Sequence, residues 1–186
     1  MPDITDTSIL IMTTHGFEQS ELFTPLERLR EAGATVHVAT PDGKPAKGWD
    51  KDDWGRTVDA DLKIEDSSPE DYDALVLPGG QINPDLLRAD ETAVALVRAF
   101  TETGRIVAAV CHAPWLLIEA GVAKGREMTS YHSIRTDVIN AGANWVDKDV
   151  AISNGIITSR NPGDLEAFTA KIIEEVKEGR HPRKAA

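Results

Sequence analysis

Four short stretches of the chain are almost uninterrupted in their apolar character: Ser8–Thr13, Thr35–Ala39, Ala74–Leu77 and Ile106–Val110. A strand wetted on one face alternates polar and apolar residues. A continuous run rich in Val, Ile and Leu instead suits a strand covered on both faces, as in a parallel sheet flanked by helices. Between these runs the apolar positions recur at helical spacing, and Gly33, Gly104, Gly121, Gly142 and Gly179 each close such a segment. The first helical segment places Leu22, Leu26 and Leu29 on one face. Thr24-Pro25-Leu26-Glu27 reads as a capping box with proline at the first helical position; the helix starts there, or earlier near Glu18 with Pro25 inside it. Asn161-Pro162-Gly163-Asp164 caps the final helix, whose buried stripe is Leu165, Phe168, Ile172 and Val176.

Strand–helix alternation predicts an α/β three-layer sandwich with helices on both faces of a mostly parallel central sheet. The polar stretch from Asp42 to Asp66 breaks the alternation and reads as a hairpin-like excursion. Asn154-Gly155, within Ala151–Ser159, is the strongest local hairpin signal. No repeat, low-complexity block or linker divides the 186 residues, so one domain over 1–186 with its core at 8–178 is expected. The basic end from Gly179 to Ala186 reads as a solvated tail.

Composition narrows the function classes. A net charge of −11 repels phosphate backbones and anionic lipid, so general nucleic-acid or membrane-surface binding is not expected. The apolar runs are too short to span a bilayer. The acidic Met1-Pro2-Asp3 lacks the basic flank of a secretion signal, and a soluble cytoplasmic protein is expected. One cysteine, Cys111, excludes an intramolecular disulfide framework and a cysteine-based zinc finger. The five histidines show no paired metal-ligand spacing, and His37 alternates within a strand as a structural residue. Asp50, Asp52, Gly55 and Asp61 partly mimic a calcium loop, but Trp54 takes a ligand position and the closing Glu is missing. No phosphate loop or dinucleotide fingerprint is present, and no metal or cofactor is expected.

In open α/β sheets ligands bind beyond the carboxyl ends of the strands. Three such ends carry unusual residues: Thr14-His15-Gly16-Phe17-Glu18, Pro78-Gly79-Gly80-Gln81 and Cys111-His112-Ala113-Pro114. In the third, a strand runs into Cys111 and Ala113-Pro114 opens a helix, the geometry of a nucleophile elbow. A thiol there sits at a helix N-terminus, which favours thiolate, and His112 can add positive charge or accept a proton. Glu18, at a neighbouring strand end, is the carboxyl expected to approach Cys111 and donate a hydrogen bond from its protonated form. The Gly79-Gly80 turn lets a backbone N–H face the thiol and form an oxyanion hole with the His112 N–H.

These residues resemble a known family. Gly16-Phe-Glu-Gln-Ser-Glu-Leu22, Ala74-Leu-Val-Leu-Pro-Gly-Gly80, Val110-Cys-His-Ala-Pro114, Thr129-Ser-Tyr131, Ile139-Asn-Ala-Gly142 and Ser159-Arg-Asn-Pro162 are together similar to the PfpI family. This is the intracellular cysteine protease I branch of the superfamily that includes the Parkinsonism-associated deglycase. The resemblance runs from Ile9 to Val176. It implies a flavodoxin-like sandwich, a nucleophilic Cys111, Glu18 as its buried carboxylic partner, and His112 as the imidazole of a Cys–His–acid triad. The acid comes from a neighbouring subunit, so a homo-oligomer of at least two copies is implied; here Asp85 takes the place of the family Glu, with a one-residue shift. Tyr131 matches a family tyrosine lining the same pocket. The downstream His-x-Glu of the related glutamine amidotransferases is missing.

Family members are described as peptidases, as cofactor-independent glyoxalases, and as deglycases acting on methylglyoxal- or glyoxal-derived adducts. The expected function is therefore a stress-protective, cysteine-dependent enzyme acting on small carbonyl compounds or on glycated protein and peptide. Two alternatives stand beside it. One is an oligomeric cysteine peptidase using the same site. The other is a non-catalytic redox sensor or chaperone-like stress protein, in which Cys111, with no resolving cysteine, is oxidised.

Overall fold

A seven-stranded sheet forms the middle layer of the computed structural model, which describes residues 4–179. Residues 1–3 and 180–186, and with them the expected leader-free start and solvated basic tail, lie outside the described residues. In chain order the elements are β1 (Ser8–Met12), α1 (Gln19–Glu31), β2 (Thr35–Thr40), β3 (Ala46–Asp50), β4 (Asp53–Val58), β5 (Leu62–Lys63) and β6 (Ala74–Leu77). There follow α2 (Ile82–Arg88), α3 (Glu91–Glu102), β7 (Ile106–Val110), α4 (Pro114–Glu119), β8 (Glu127–Met128) and α5 (Arg135–Asn140). The chain closes with β9 (Asn144–Trp145), β10 (Val150–Ser153), β11 (Ile156–Ser159) and α6 (Leu165–Glu178). The sheet order is β10-β11-β7-β6-β1-β2-β5, parallel throughout except for the antiparallel β10–β11 pair.

The continuous apolar runs have the expected cause. Along β1, Ile9 and Ile11 enter a core shared with Leu22, Leu26, Leu29, Phe168 and Ile172 of α1 and α6. Leu10 and Met12 enter the opposite core, with Leu96, Val97 and Phe100 of α3 and Leu116 and Leu117 of α4. Successive side chains of a strand point to opposite faces, so a strand with helices above and below must be apolar at both parities. Burying each large side chain contributes about 1.5–3 kcal/mol, and the two cores clamp the central strands from both sides. This rigid middle layer fixes the strand ends that carry the site.

The helix starts at Gln19, so Pro25 lies inside α1 and Glu18 is its N-cap. This is the second of the two starts left open by sequence. All five helix-closing glycines have positive φ, and Asn154 and Gly155 turn the β10–β11 hairpin at φ 44° and 79°. Asn161 caps the turn before α6, its Oδ1 accepting from the Gly163 N–H at 2.9 Å. His37 Nδ1 pairs with the Tyr72 hydroxyl at 3.1 Å, a structural contact.

The excursion after β2 is a β3–β4 hairpin, and it then returns: β5 pairs in parallel with β2 as a sheet edge, which the polar sequence did not announce. The hairpin docks on the loop between β1 and α1. The Gly16 N–H donates to the Lys47 carbonyl at 2.8 Å, and the Trp49 N–H to the Phe17 carbonyl at 2.7 Å.

Candidate active site

The elbow begins where β7 ends. Cys111 has φ +64°, the left-handed region that an L-residue with a side chain enters at a cost of about 1–2 kcal/mol. Neighbouring backbone holds it there. The Cys111 N–H donates to the Ser159 carbonyl (3.0 Å), the Tyr131 N–H to the Cys111 carbonyl (2.8 Å), and the Ala113 N–H to the Val110 carbonyl (3.0 Å). Pro114 then opens α4, a helix of only six residues. So short a helix carries a weak dipole, and direct hydrogen bonds to the sulfur matter more than the helix behind it. Cys111 is 6% exposed and lines a cleft of about 690 Å³ with Glu18, Glu21, Gly80, His112, Tyr131 and Ser133.

The carboxyl beside the thiol is Glu21, not Glu18. Glu18 caps α1 with extended backbone (φ −62°, ψ 119°), which turns its side chain out of the helical stripe; it lines the cleft and accepts from the Ser20 hydroxyl at 3.1 Å. Glu21, inside the first turn, faces inward and is fully buried. Its Oε2 accepts from the Gly80 N–H at 3.1 Å, and its carboxyl interacts directly with the Cys111 thiol. The expectation for Glu18 is thus corrected by three residues, nearly one helical turn, because the first helical residue is Gln19.

Gly79 explains why the turn after β6 has no side chain. A Cβ there would lie 2.4 Å from Glu21 Oε2, 2.6 Å from the Cys111 Cβ and 2.7 Å from the Val110 carbonyl oxygen. Gly80 combines φ +79° with a Cβ position 2.6 Å from the Glu18 nitrogen and the Gly16 carbonyl oxygen. Asn83, fully buried at the start of α2, ties this turn to the end of β1. Its Nδ2 donates to the Pro78 carbonyl (2.9 Å) and its Oδ1 accepts from the Thr14 N–H (2.8 Å).

Burial is the chief cause that pushes the Glu21 carboxyl up from its ordinary value of 4.5 to about 8, against the hydrogen bond to Cys111 that pulls it down. It is therefore neutral at pH 7 and able to donate a proton. Burial also pushes the Cys111 thiol up, and a charged Glu21 would push it further, while the Gly80 and His112 amides pull it down. With Glu21 neutral, that repulsion is gone and its O–H becomes a donor to sulfur. The two groups form one coupled, hydrogen-bonded pair.

His112 completes the cluster. Its Nδ1 stands 3.1 Å from Cys111 Sγ and its Nε2 3.1 Å from Ser133 Oγ. The Tyr131 ring stacks on it at 4.8 Å between centroids, and Trp115 lies at 5.3 Å. Burial, and then the charge of His132, hold the imidazole below its ordinary pKa. Asp85 does not touch His112 within its own chain. It lies on α2, paired to Arg88 at 2.9 Å, beside Ile82, Leu86 and Trp115. Asp50, Asp52, Gly55 and Asp61 do not gather: the first three belong to the β3–β4 hairpin, and Asp61 accepts from the Val38 N–H. Among the described residues no group of three or more His, Cys, Asp and Glu is placed to hold a metal ion.

The DJ-1/PfpI family model matches residues 7–175, over elbow, glycine turn and α1 alike. The chain belongs to the DJ-1/PfpI family. It is 41% identical over 169 residues to Deglycase PfpI of Pyrococcus furiosus, covering 91% of this chain and 99% of the relative. It is 41% identical over 167 residues to General stress protein 18 of Bacillus subtilis, covering 89% and 95%. Among solved structures, Drosophila melanogaster DJ-1beta superposes with a TM-score of 0.83 at 31% identity, covering 96% of this chain and 95% of that one. The flavodoxin-like three-layer sandwich is thus the family's fold.

Within this family site, sequence reasoning missed Glu21, Asn83, Ser133 and the hairpin wall. Glu21 had a readable signal: a carboxylate one position before Leu22 and four before Pro25, on the apolar face of a helix starting near Glu18. Trp49 and Lys51 of the β3–β4 hairpin close one side of the cleft. No local pattern announced that placement, because it depends on the hairpin docking against the chain before α1.

Proposed function

We propose that this protein is a cysteine-dependent enzyme of the deglycase and cofactor-independent glyoxalase type, acting on reactive dicarbonyls and their early adducts. The observation that carries the reading is the buried Glu21 carboxyl, neutral at pH 7, against a thiol that also faces the Gly80 and His112 amides. On this reading the pair keeps one proton between them and the charge goes to sulfur, which is larger, more polarisable and closer to the cleft than the fully buried carboxyl. The relative named a deglycase, matched over nearly its whole length, supports the same reaction class.

The chemistry balances without an external oxidant. The Cys111 thiolate bonds to the aldehyde carbon of a dicarbonyl, and the carbonyl oxygen takes the Glu21 proton. With an early adduct, sulfur instead displaces the amine, whose C–N bond breaks as the nitrogen gains a proton. Both routes give one hemithioacetal. Glu21, left as a carboxylate, carries a proton from that carbon to the neighbouring ketone carbon through an enediol, oxidising the first to a thioester and reducing the second to an alcohol. Water cleaves the thioester, releasing a 2-hydroxy acid and regenerating the thiolate. The Gly80 and His112 N–H groups face the sulfur, where they stabilise negative charge.

Assembly is part of the proposal. Ile82 and Leu86 are 39% and 52% exposed around Asp85, an apolar face on α2 suited to a second copy. No helix among the described residues is long and apolar enough to cross a membrane. A working thiol suits a reducing compartment, and the cytoplasm is the proposed location. The test is consumption of methylglyoxal, and release of free amine from a freshly formed methylglyoxal–amine adduct, by wild type and Cys111→Ala. Loss of both activities in the variant is expected; unchanged activity overturns the reading. Peptide hydrolysis that disappears in Cys111→Ser, with no carbonyl turnover in wild type, would replace it with the peptidase.

A further inference from the structure

We propose that Ser133 is a positioning residue: its hydroxyl donates to His112 Nε2 and holds the imidazole as the neutral tautomer whose Nδ1–H points at the Cys111 sulfur. The inference deepens the proposed function and rests on its reading of Cys111 as a thiolate.

Both ring nitrogens are engaged within one chain, Nδ1 by Cys111 Sγ and Nε2 by Ser133 Oγ, each at 3.1 Å. The two partners differ in what they can do. A thiolate only accepts, so Nδ1 must carry the proton that faces it. A neutral ring protonated at Nδ1 has a bare lone pair at Nε2, which needs a donor. A serine hydroxyl can supply one, whereas a carboxylate cannot. A carboxylate at Nε2 would demand a proton there as well and turn the ring into an imidazolium. The residue facing Nε2 therefore selects the charge of the imidazole as well as its direction.

Further observations fit this role. The Tyr131 ring, stacked at 4.8 Å and 25°, fixes the plane of the imidazole but leaves its rotation within that plane free. The in-plane hydrogen bond from Ser133 removes that freedom. Ser133 sits in a 3-10 turn, His132–Ile134, directly after Tyr131, whose N–H holds the Cys111 carbonyl at 2.8 Å, so the hydroxyl is anchored to the elbow it serves. Burial, then His132, hold the imidazole below its ordinary pKa, in keeping with a neutral ring. The expected acid, Asp85, is engaged by Arg88, and Arg88 in turn lies over Trp115 at 4.4 Å. Ser133 thus orients the imidazole from within its own subunit.

The experiment combines ring-nitrogen spectroscopy with kinetics on the full chain. Histidine-labelled protein is examined by 15N NMR near pH 7, with His112 assigned by its disappearance in His112→Gln. Wild type is expected to show a protonated Nδ1 and a bare, hydrogen-bond-accepting Nε2. Ser133→Ala should mix the two tautomers and lower kcat for methylglyoxal roughly threefold to tenfold, with KM unchanged. Ser133→Thr, which keeps the hydroxyl, should restore both. A proton on Nε2 in wild type, or a Ser133→Ala protein with wild-type ring shifts and kcat, overturns the inference. Because the ring shifts are read without turnover, they separate its failure from failure of the enzyme reading, which Cys111→Ala tests. Should Ser133→Ala not fold, the wild-type shifts and the Thr variant still decide.

Discussion

Removing the Cys111 thiol isolates Glu21 as a titrating group. In Cys111→Ala the carboxyl stays in its dry site, and losing the Cys111 hydrogen bond that pulls it down leaves its pKa no lower than the value of about 8, against 4.5 for an ordinary carboxyl. Between those values the unfolded chain has released a proton that the folded chain keeps. The folded state binds more protons, so stability falls as pH rises, by about 1.4 kcal/mol per pH unit. The contribution is whole below pH 4.5 and is lost as pH rises through the folded value of about 8 or above, a total of at least roughly 5 kcal/mol. Glu21→Gln in the same background abolishes the titration. The new amide carries an imperfect-pairing cost of about 1–3 kcal/mol, but the same cost at every pH. Unfolding free energies of Cys111→Ala and of the double variant should therefore diverge by about 4 kcal/mol from pH 5 to pH 8, in favour of Gln. Wild type should behave differently near neutrality. Sulfur carries the charge in the folded state and Glu21 carries it in the unfolded chain, so the proton counts match and most of the slope vanishes. Urea unfolding at pH 5, 6, 7 and 8 gives all three curves. Parallel pH dependence in the two alanine-background proteins would refute a neutral, buried Glu21.

Gly79→Ala should destabilise the fold by about 1–3 kcal/mol and lower turnover at least tenfold, read by thermal unfolding and methylglyoxal consumption, because its Cβ meets Glu21, the Cys111 Cβ and backbone at once. Gly121→Ala, with nothing within 4 Å but φ +73°, should cost about 1 kcal/mol and leave turnover alone. Leu86→Glu should dissociate the proposed oligomer in sedimentation velocity yet keep activity within about threefold, since Ser133 orients His112 inside each subunit; loss to the Cys111→Ala level would return the acid's role to Asp85. Mild peroxide should modify Cys111 first to the sulfenic state and abolish turnover in step, as intact-mass measurement and activity would show.

The sheet was legible because its chemistry is local: helices on both faces require apolar residues at both parities of β1, β6 and β7. The elbow was legible for a similar reason, since strand, cysteine, small residue and proline follow one another in the chain. Glu21 was displaced by three residues in the sequence reading because the start of α1 depends on Gln19 being the first helical residue, and Pro25 inside the helix hides that start. β5 was missed because two residues of mixed polarity at a sheet edge carry too little pattern. Ser133 and the Trp49–Lys51 wall reach the site by folding of segments that only tertiary packing brings there.

The alkylation rate of Cys111 by iodoacetamide, followed from pH 5 to pH 9, tests the central claim most directly. If the sulfur already carries the negative charge at neutral pH, the rate levels off below pH 7 and stays flat to pH 9. A rate that climbs about tenfold per pH unit from 7 to 9, as an unactivated thiol's does, would contradict it.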